Sequence, residues 1–207
     1  MHHRDCLPHL RQQNVIYFVT FRLADSLPES RLRQIRDRRD RWFADNPPPH
    51  MPTQEAQYRS IWTAPLEHLL DAGHGACALR RADCRQSLED SMRHDDGTAY
   101  RLGSFVIMPN HVHALLHVPP PADLSDIMQA WKSISSRRIN RLLRRRGSLW
   151  QPESFDHIVR DKSHWQSFIR YIRRNPAGLP EATFTLGCGS LATEEAPPPP
   201  APTPRPT

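Results

Sequence analysis

Two histidines separated by one residue, His111 and His113, are the side chains best suited to metal binding in this sequence. They lie where apolar and polar residues alternate, with Val112 and Ala114 on one face and the histidines on the other. Such alternation is typical of a strand, in which residues two apart share a face and are separated by about 6.6 Å. Two imidazoles at this spacing can bind one divalent cation, although histidines that bind nothing fit the same pattern. We interpret His117, on the same face, as a neighbour of the pair.

A tyrosine near the end of the last predicted helix is the second candidate for chemistry. Tyr171 and Asn175 are one helical turn apart, and both flank an apolar stripe that is expected to face the core. The stripe consists of Trp165, Phe168, Ile169 and Ile172. The spacing leaves two readings open for Tyr171, a functional hydroxyl or a half-covered boundary tyrosine. Asn175 has a structural reading as well, because a polar residue before Pro176 commonly ends a helix.

The elements that must position these residues alternate along the chain in the order β, α, inserted helices, β, β, α, β, α. Strands are predicted at residues 14–23, 100–108, 111–118 and 154–159, and helices at 26–45, 57–72, 77–93, 124–146 and 163–175. This order predicts an α+β fold, a ferredoxin-like split βαβ sandwich with inserted helices and an antiparallel sheet. We expect two helices to cover one face of the sheet and to leave the other free for a ligand.

Three helix ends carry recognisable sequence signals. Ser26 with Glu29, and Ser163 with Gln166, have the spacing of capping boxes and predict two helix starts. Gly147 follows the long basic helix and is expected to end it.

The ends of the chain differ in composition from its middle. Seven prolines lie between Pro197 and Pro206, which favours a disordered tail. We therefore predict an N-terminal tail at residues 1–13, one domain at 14–185 with an insert at about 45–98, and a Pro-rich tail at 186–207.

Positive charge is concentrated in the C-terminal quarter of the predicted domain. Residues 130–175 contain 12 Lys or Arg against 3 Asp or Glu, whereas the whole chain has a net charge of +6. Arginine forms planar, forked contacts to phosphate, so a nucleic-acid surface is one reading and a solvated helix face is the other. The candidate contacts on the long helix are Lys132, Arg137, Arg138, Arg141, Arg144 and Arg145.

Several classes of protein are excluded by composition. No apolar run approaches the ~20 residues that span a bilayer, and the first residues lack the apolar stretch of a secretory signal. The four cysteines form no CxxC pair, which argues against a disulfide framework or a zinc ribbon and favours the cytoplasm.

Three segments together closely resemble the REP-associated tyrosine transposases, which belong to the single-tyrosine HUH transposases. The segments are FVIMPNHVHALLHV at 105–118, GSLWQPESFDHIVRD at 147–161 and YIRRNPAGL at 171–179. YFVTFRLADSLP at 17–28 is similar to the first strand and helix of the same family. The resemblance covers roughly residues 14–179. One departure is visible, because Asn175-Pro176 runs straight into Ala-Gly-Leu where the family usually has two more residues.

The resemblance implies a complete reaction. His111 and His113 would bind a divalent metal, Mg²⁺ or Mn²⁺, and Asn175 would complete the site. Tyr171 would attack single-stranded or hairpin DNA of repetitive extragenic palindromes and form a 5′-phosphotyrosine. The protein would then be a metal-dependent tyrosine DNA transposase, active in DNA transposition and recombination, associated with the bacterial nucleoid and either a monomer or a homodimer.

Two other functions remain open from the sequence. The first is a catalytically silent, sequence-specific DNA-binding protein derived from a transposase, against which the presence of Tyr171 and both histidines argues. The second is a metal-dependent hydrolase of small molecules or RNA, against which the basic helix argues.

Overall fold

The structure is a computed structural model that describes residues 14–47, 53–54, 57, 69–70 and 72–191. The predicted N-terminal tail, most of the predicted helix at 57–72 and the chain from residue 192 lie outside the described residues. No described helix is long and apolar enough to cross a membrane. The strands and helices with defined bounds are β1 (Val15–Arg22), α1 (Glu29–Asp45), α2 (Ala82–Arg93), β2 (Arg101–Ile107), β3 (His111–Val118), α3 (Leu124–Leu142), β4 (Phe155–Ile158), α4 (Lys162–Arg174) and β5 (Thr185–Cys188), with 3-10 turns at Ala78–Arg80 and Glu181–Thr183.

The five strands form one antiparallel sheet in the order β4-β1-β3-β2-β5. β3 lies between β1 and β2, and β1 lies between β3 and β4, so each β-α-β unit has a foreign strand inserted in it. This is the split βαβ arrangement, and the predicted ferredoxin-like α+β fold is confirmed. β1 lies inside the sheet next to the central strand β3 and is buried along its whole length, which suits its run of β-branched and aromatic residues.

β5 was not predicted from the sequence. It pairs with β2 at the edge of the sheet, and Leu191 beyond it is buried. The strand is only 4 residues long and contains Gly187, so its pattern is too weak to distinguish from a loop. The predicted domain boundary at residue 185 therefore falls inside the sheet.

Side chains of β3 alternate between two hydrophobic cores on opposite faces of the sheet. Val112, Ala114 and Leu116 belong to the core under α2 and α3, which also contains the buried Trp131 of α3. Leu115 belongs to the core under α4. The alternation predicted for β3 is therefore confirmed.

The prediction that the second face of the sheet is free for a ligand is wrong, because α4 covers this face. Trp165, Ile169 and Ile172 of α4 are buried against this face, and Phe168 packs there partly buried. Burying each such side chain is worth about 1.5–3 kcal/mol, which is enough to hold the helix on the sheet. Any ligand on this face must therefore bind at the junction between α4 and the sheet.

Both predicted capping boxes are wrong, although both helices begin near the expected place. α1 starts after Pro28, an N-cap without a side-chain hydrogen bond. α4 starts after Asp161, whose carboxylate accepts from the backbone N–H of His164. A carboxylate at the N-cap satisfies the same orphan donors as the predicted Ser163 and adds a favourable interaction with the helix dipole.

The long basic helix α3 ends at Leu142, four residues before the predicted end. Arg144 adopts a left-handed conformation with φ of 50°, its N–H donates to Arg141 O, and the N–H of Arg145 donates to Asn140 O. These two bonds form a Schellman motif, which satisfies the last carbonyls of the helix. Arg144 and Arg145 consequently do not continue the helical face that carries Arg137 and Arg141.

Candidate active site between β3 and the last helix

His111 and His113 lie side by side on the face of β3 that α4 covers. Both residues are 0% exposed, and their ring centroids are 4.7 Å apart at an interplanar angle of 79°. The strand geometry predicted that the two imidazoles share a face, and the structure confirms it. Two buried rings at this distance can present nitrogen atoms to one ligand.

α4 brings the hydroxyl of Tyr171 to this pair. The Tyr171 oxygen lies 3.4 Å from Nε2 of His113, and the two rings meet edge to face with centroids 5.1 Å apart. Tyr171 is half-buried at the rim of the core under α4. Its position beside the apolar stripe lets the ring pack against Phe18 while the hydroxyl reaches the histidines.

Burial keeps both histidines neutral. Desolvation lowers the pKa of His111 to about 3. Desolvation, and then the neighbouring His111, lower the pKa of His113 well below its ordinary value. A neutral imidazole has one nitrogen with a lone pair, which is the form that binds metal.

The second nitrogen of each ring is held by a polar neighbour. Nδ1 of His111 lies 2.7 Å from Oδ1 of Asn110, and Nδ1 of His113 lies 2.7 Å from the hydroxyl of Thr20. Ligating histidines usually have such a partner on the ring nitrogen away from the metal, where it fixes the ring orientation.

β1 supplies the floor of the site, which the sequence analysis did not assign. Thr20 pairs with His113 in the register, and Phe18 stacks on the His113 ring with centroids 5.5 Å apart. Phe168 also stacks on Phe18, with ring centroids 4.1 Å apart. Phe18 and Thr20 are two residues apart and share the side of the sheet that carries the histidines. Because β1 is buried along its whole length, its sequence has no alternation that would mark this face.

Asn175, one turn after Tyr171, is the C-cap of α4, and its backbone N–H donates to Tyr171 O at 2.9 Å. Its side-chain Oδ1 is buried and has no hydrogen-bond partner among the described residues. A buried amide oxygen without a donor is costly unless it meets a cation or a ligand donor. The chain then leaves the helix in two tight turns, with Gly178 at φ of 87°.

These residues fit a divalent cation. Two neutral imidazoles and one amide oxygen form a nitrogen and oxygen donor set, which suits Mn²⁺ better than Mg²⁺. Within the described ranges no group of three His, Cys, Asp or Glu could hold a metal. A metal at the histidine pair would therefore use an uncharged third ligand such as Asn175, with water in the remaining positions.

His117 lies farther along the same face of β3. Its Nε2 is 3.0 Å from Oδ1 of Asn14, the residue that precedes β1. This contact attaches His117 to the far end of the strand pair and agrees with its interpretation as a neighbour.

The residues predicted to contact DNA lie on the other side of the sheet. α3 packs on the core that contains Val112 and Ala114, opposite the face that carries Tyr171. Exposed arginines on this side are Arg137, Arg138, Arg141, Arg144 and Arg146, with Arg145 half-buried.

Lys132 differs from those arginines because its ammonium group donates hydrogen bonds to backbone carbonyls of the same chain. Nζ donates to the carbonyls of Gln151, Pro152 and Glu153 at 3.0–3.2 Å. Burial lowers the pKa of Lys132 to about 8, against an opposing effect of Glu153 and together with a lowering effect of Arg22. Lys132 therefore holds the loop between α3 and β4.

Three exposed arginines that were not selected from the sequence lie on α4. Arg170 and Arg174 are one turn apart on the side of the helix next to Tyr171, and Arg173 faces further away. These arginines lie within the basic range 130–175 noted in the sequence, but the predicted DNA contacts were all taken from the longer arginine run in α3.

Residues 81–175 match the family model described as "Transposase IS200 like", and this range contains the histidine pair, Tyr171 and Asn175. One similar solved structure is the REP-associated tyrosine transposase bound to a REP hairpin, at 13% identity and a TM-score of 0.45, with 84% of this chain and 73% of that chain covered. Another is a protein from Deinococcus radiodurans R1 assigned as a transposase, at 14% identity and a TM-score of 0.33, with 84% and 98% covered. No curated protein matches the chain.

Proposed function

We propose that this chain is an IS200-like transposase, the family whose model matches residues 81–175, and that it acts as a metal-dependent endonuclease and strand transferase for single-stranded DNA. The observation that carries the proposal is the approach of the Tyr171 hydroxyl to within 3.4 Å of Nε2 of His113. A nucleophile is activated by an adjacent base or by a metal, and the neutral histidine pair beside Tyr171 has the donor atoms to hold such a metal.

The proposed step is an in-line displacement at phosphorus. The oxygen of Tyr171 forms a bond to the scissile phosphorus and gives up its proton to water. The bond from phosphorus to the 3′ oxygen breaks, and that oxygen takes up a proton. The products are a 5′-phosphotyrosyl protein and a free 3′-OH, with the polarity of the family that the sequence resembles. Because the covalent link conserves the bond energy, the 3′-OH of another strand can reverse the step.

We assign the metal ligands to His111, His113 and Asn175. When bound, Mn²⁺ or Mg²⁺ would withdraw charge from the scissile phosphate and orient its oxygens. The protein side chains do the remaining work. Thr20 holds the ring of His113 at Nδ1, and Phe18 packs against the rings of both His113 and Tyr171, so that the nucleophile has a fixed position.

The proposed substrate is repetitive palindromic or hairpin DNA. Support comes from the exposed Arg170 and Arg174 beside Tyr171, which can bind phosphates on either side of the reacting one. The arginines of α3 remain proposed backbone contacts, at a distance from the reaction because they lie across the sheet. The REP hairpin bound to a similar protein is consistent with this substrate class. We propose that the protein acts at the nucleoid in the cytoplasm, as a monomer or a homodimer.

One experiment separates this function from the two alternatives. Hairpin oligonucleotides labelled at the 3′ end are incubated with the protein and Mn²⁺ and resolved on a denaturing gel. A transposase-type enzyme leaves the 3′-labelled fragment covalently on the protein. A hydrolase releases a free labelled fragment, and a silent DNA-binding protein leaves the oligonucleotide intact. Either of the last two results would contradict the proposal.

A further inference from the structure

We propose that Asn110 is a positioning residue that fixes the tautomer of His111 with the proton on Nδ1, so that Nε2 presents its lone pair for metal binding. The inference rests on the proposed metal site and adds a residue to it. Asn110 is 1% exposed and occupies the turn between β2 and β3. Its own carbonyl accepts from the N–H of Leu23 at 2.8 Å, which fixes the turn against the end of β1.

The orientation of the Asn110 amide follows from two backbone carbonyls. Nδ2 donates to Leu70 O at 3.1 Å and to His74 O at 3.2 Å. A carbonyl oxygen can only accept, so the NH₂ end of the amide must point toward these two atoms. The flipped amide would place an oxygen against two other oxygens and is excluded.

The fixed amide determines the proton on His111. With Nδ2 committed to the two carbonyls, Oδ1 of Asn110 faces Nδ1 of His111 at 2.7 Å. An amide oxygen has no proton to give, so the hydrogen of this bond must be on Nδ1. In a neutral imidazole the other nitrogen, Nε2, then carries the lone pair.

His113 provides an internal contrast. Its Nδ1 lies 2.7 Å from the hydroxyl of Thr20, and a hydroxyl can either donate or accept. The Thr20 contact orients the ring but does not choose between the two tautomers. Asn110 is thus the residue whose contact sets a proton position in the pair.

The two carbonyls belong to the segment inserted between α1 and α2. Gly75, with φ of 88°, lies so close to the carbonyl oxygen of Asp25 that a Cβ would not fit there. The N–H of Ala76 also donates to the carboxylate of Asp25 at 2.9 Å. These contacts hold the His74 carbonyl next to the exit of β1, so the inserted segment has a defined role in orienting Asn110.

The test reads the tautomer directly in the full chain without metal. Long-range ¹H–¹⁵N NMR of the ¹⁵N-labelled protein distinguishes protonated from unprotonated ring nitrogens of His111. We expect Nδ1 to be protonated and Nε2 to be unprotonated in the wild type. In Asn110→Ala we expect a mixture of tautomers and a 10–100-fold weaker affinity for Mn²⁺ by calorimetry. Thr20→Val is the matched control, which removes a comparable bond but should leave the His111 tautomer unchanged.

The outcomes separate this inference from the proposed function. A wild-type His111 protonated on Nε2 overturns the inference whether or not any variant folds. A folded Asn110→Ala protein with the wild-type tautomer and unchanged Mn²⁺ affinity overturns it as well, while leaving the metal site intact. A wild-type protein that binds no Mn²⁺ overturns the metal site of the proposed function and the positioning role together.

Discussion

The hydroxyl of Tyr171 and Nε2 of His113 are 3.4 Å apart, although 58 positions separate the two residues in the chain. The contact exists because α4 packs across the face of the sheet on which β3 presents its histidines. Phe18 of β1 contacts both rings, so the sheet itself fixes the distance between them. The position of the Tyr171 hydroxyl therefore depends on the core under α4, which also stabilises the fold.

Removal of a proposed metal ligand should raise the metal concentration that cleavage requires. We expect His111→Ala, His113→Ala and Asn175→Ala each to weaken Mn²⁺ binding by at least about 10-fold, because each removes a donor atom. Calorimetry gives the affinity, and cleavage at several Mn²⁺ concentrations gives the requirement. His117→Ala is the control and should bind Mn²⁺ normally. Full cleavage in EDTA, or by the double histidine variant, would show that this site is not catalytic.

Arginines on the two sides of the sheet should affect DNA differently. Each phosphate contact on a single strand contributes about 0.7 to the slope of log affinity against log salt. Arg170→Gln with Arg174→Gln should flatten the slope by up to about 1.4 and also slow cleavage of bound DNA, because both residues flank Tyr171. Arg137→Gln with Arg141→Gln should change the slope without slowing that step.

Fluorescence anisotropy from 50 to 200 mM salt and single-turnover cleavage measure these two effects. The proposed path of the DNA would be contradicted if the double variant of Arg137 and Arg141 cleaved bound DNA slowly while the double variant of Arg170 and Arg174 cleaved it at the normal rate. An unchanged slope in both pairs would identify both sets of arginines as solvated helix faces.

Replacement of Lys132 should change stability rather than DNA binding. Lys132→Met deprives the carbonyls of Gln151, Pro152 and Glu153 of their common donor. Loss of bonds to a charged group should lower the free energy of unfolding by about 1.5–3 kcal/mol. Urea denaturation measures this change, and the salt slope for DNA should stay at the wild-type value. Wild-type stability with a flatter slope would instead return Lys132 to the DNA-contact role predicted from the sequence.

The buried histidines should make the protein sensitive to mild acid. The folded state holds the pKa of His111 at about 3, whereas the unfolded state has the ordinary value of about 6.5. The unfolded chain therefore binds protons that the folded chain refuses between these values. The contribution of neutral His111 to the free energy of unfolding is fully present above pH 6.5. As the pH is lowered below 6.5, the free energy of unfolding decreases by up to about 1.4 kcal/mol per pH unit for this group.

The chain contains 12 histidines, so a variant is needed to isolate this effect. His111→Gln removes the titrating group and should flatten the dependence of unfolding free energy on pH between 6.5 and 4.5. Denaturant melts at several pH values in both proteins measure the difference. Identical pH profiles would mean that His111 is accessible to protons in the folded state.

The sequence was sufficient for those features that depend on local periodicity. The alternation around His111 and His113 predicted their shared face, because side chains of a strand alternate strictly. The order of strands and helices along the chain predicted the ferredoxin-like fold. The helical spacing of Trp165, Ile169 and Ile172 correctly predicted which side of α4 is buried.

Features that depend on tertiary packing or on single backbone conformations could not be predicted in this way. Core packing decides which face of the sheet each of α3 and α4 covers. The separation of α3 from Tyr171 by the sheet therefore could not be predicted from the sequence. The early end of α3 depends on the left-handed Arg144, a conformation that arginine rarely adopts. Thr20 and Asn110 have no local signal of function, since their roles arise from contacts with His113 and His111.

The most direct test of the account is the identity of the residue that carries the DNA. Among the described tyrosines, Tyr17 and Tyr100 are buried in the core under α2 and α3, and the hydroxyl of Tyr100 bonds to Met92 O and Trp131 Nε1. Mass spectrometry of the protein trapped on a 3′-labelled hairpin locates the modified peptide. The account predicts a phosphotyrosyl adduct on Tyr171, and no adduct but retained DNA binding in Tyr171→Phe. An adduct on any other residue, or wild-type cleavage by Tyr171→Phe, would contradict it.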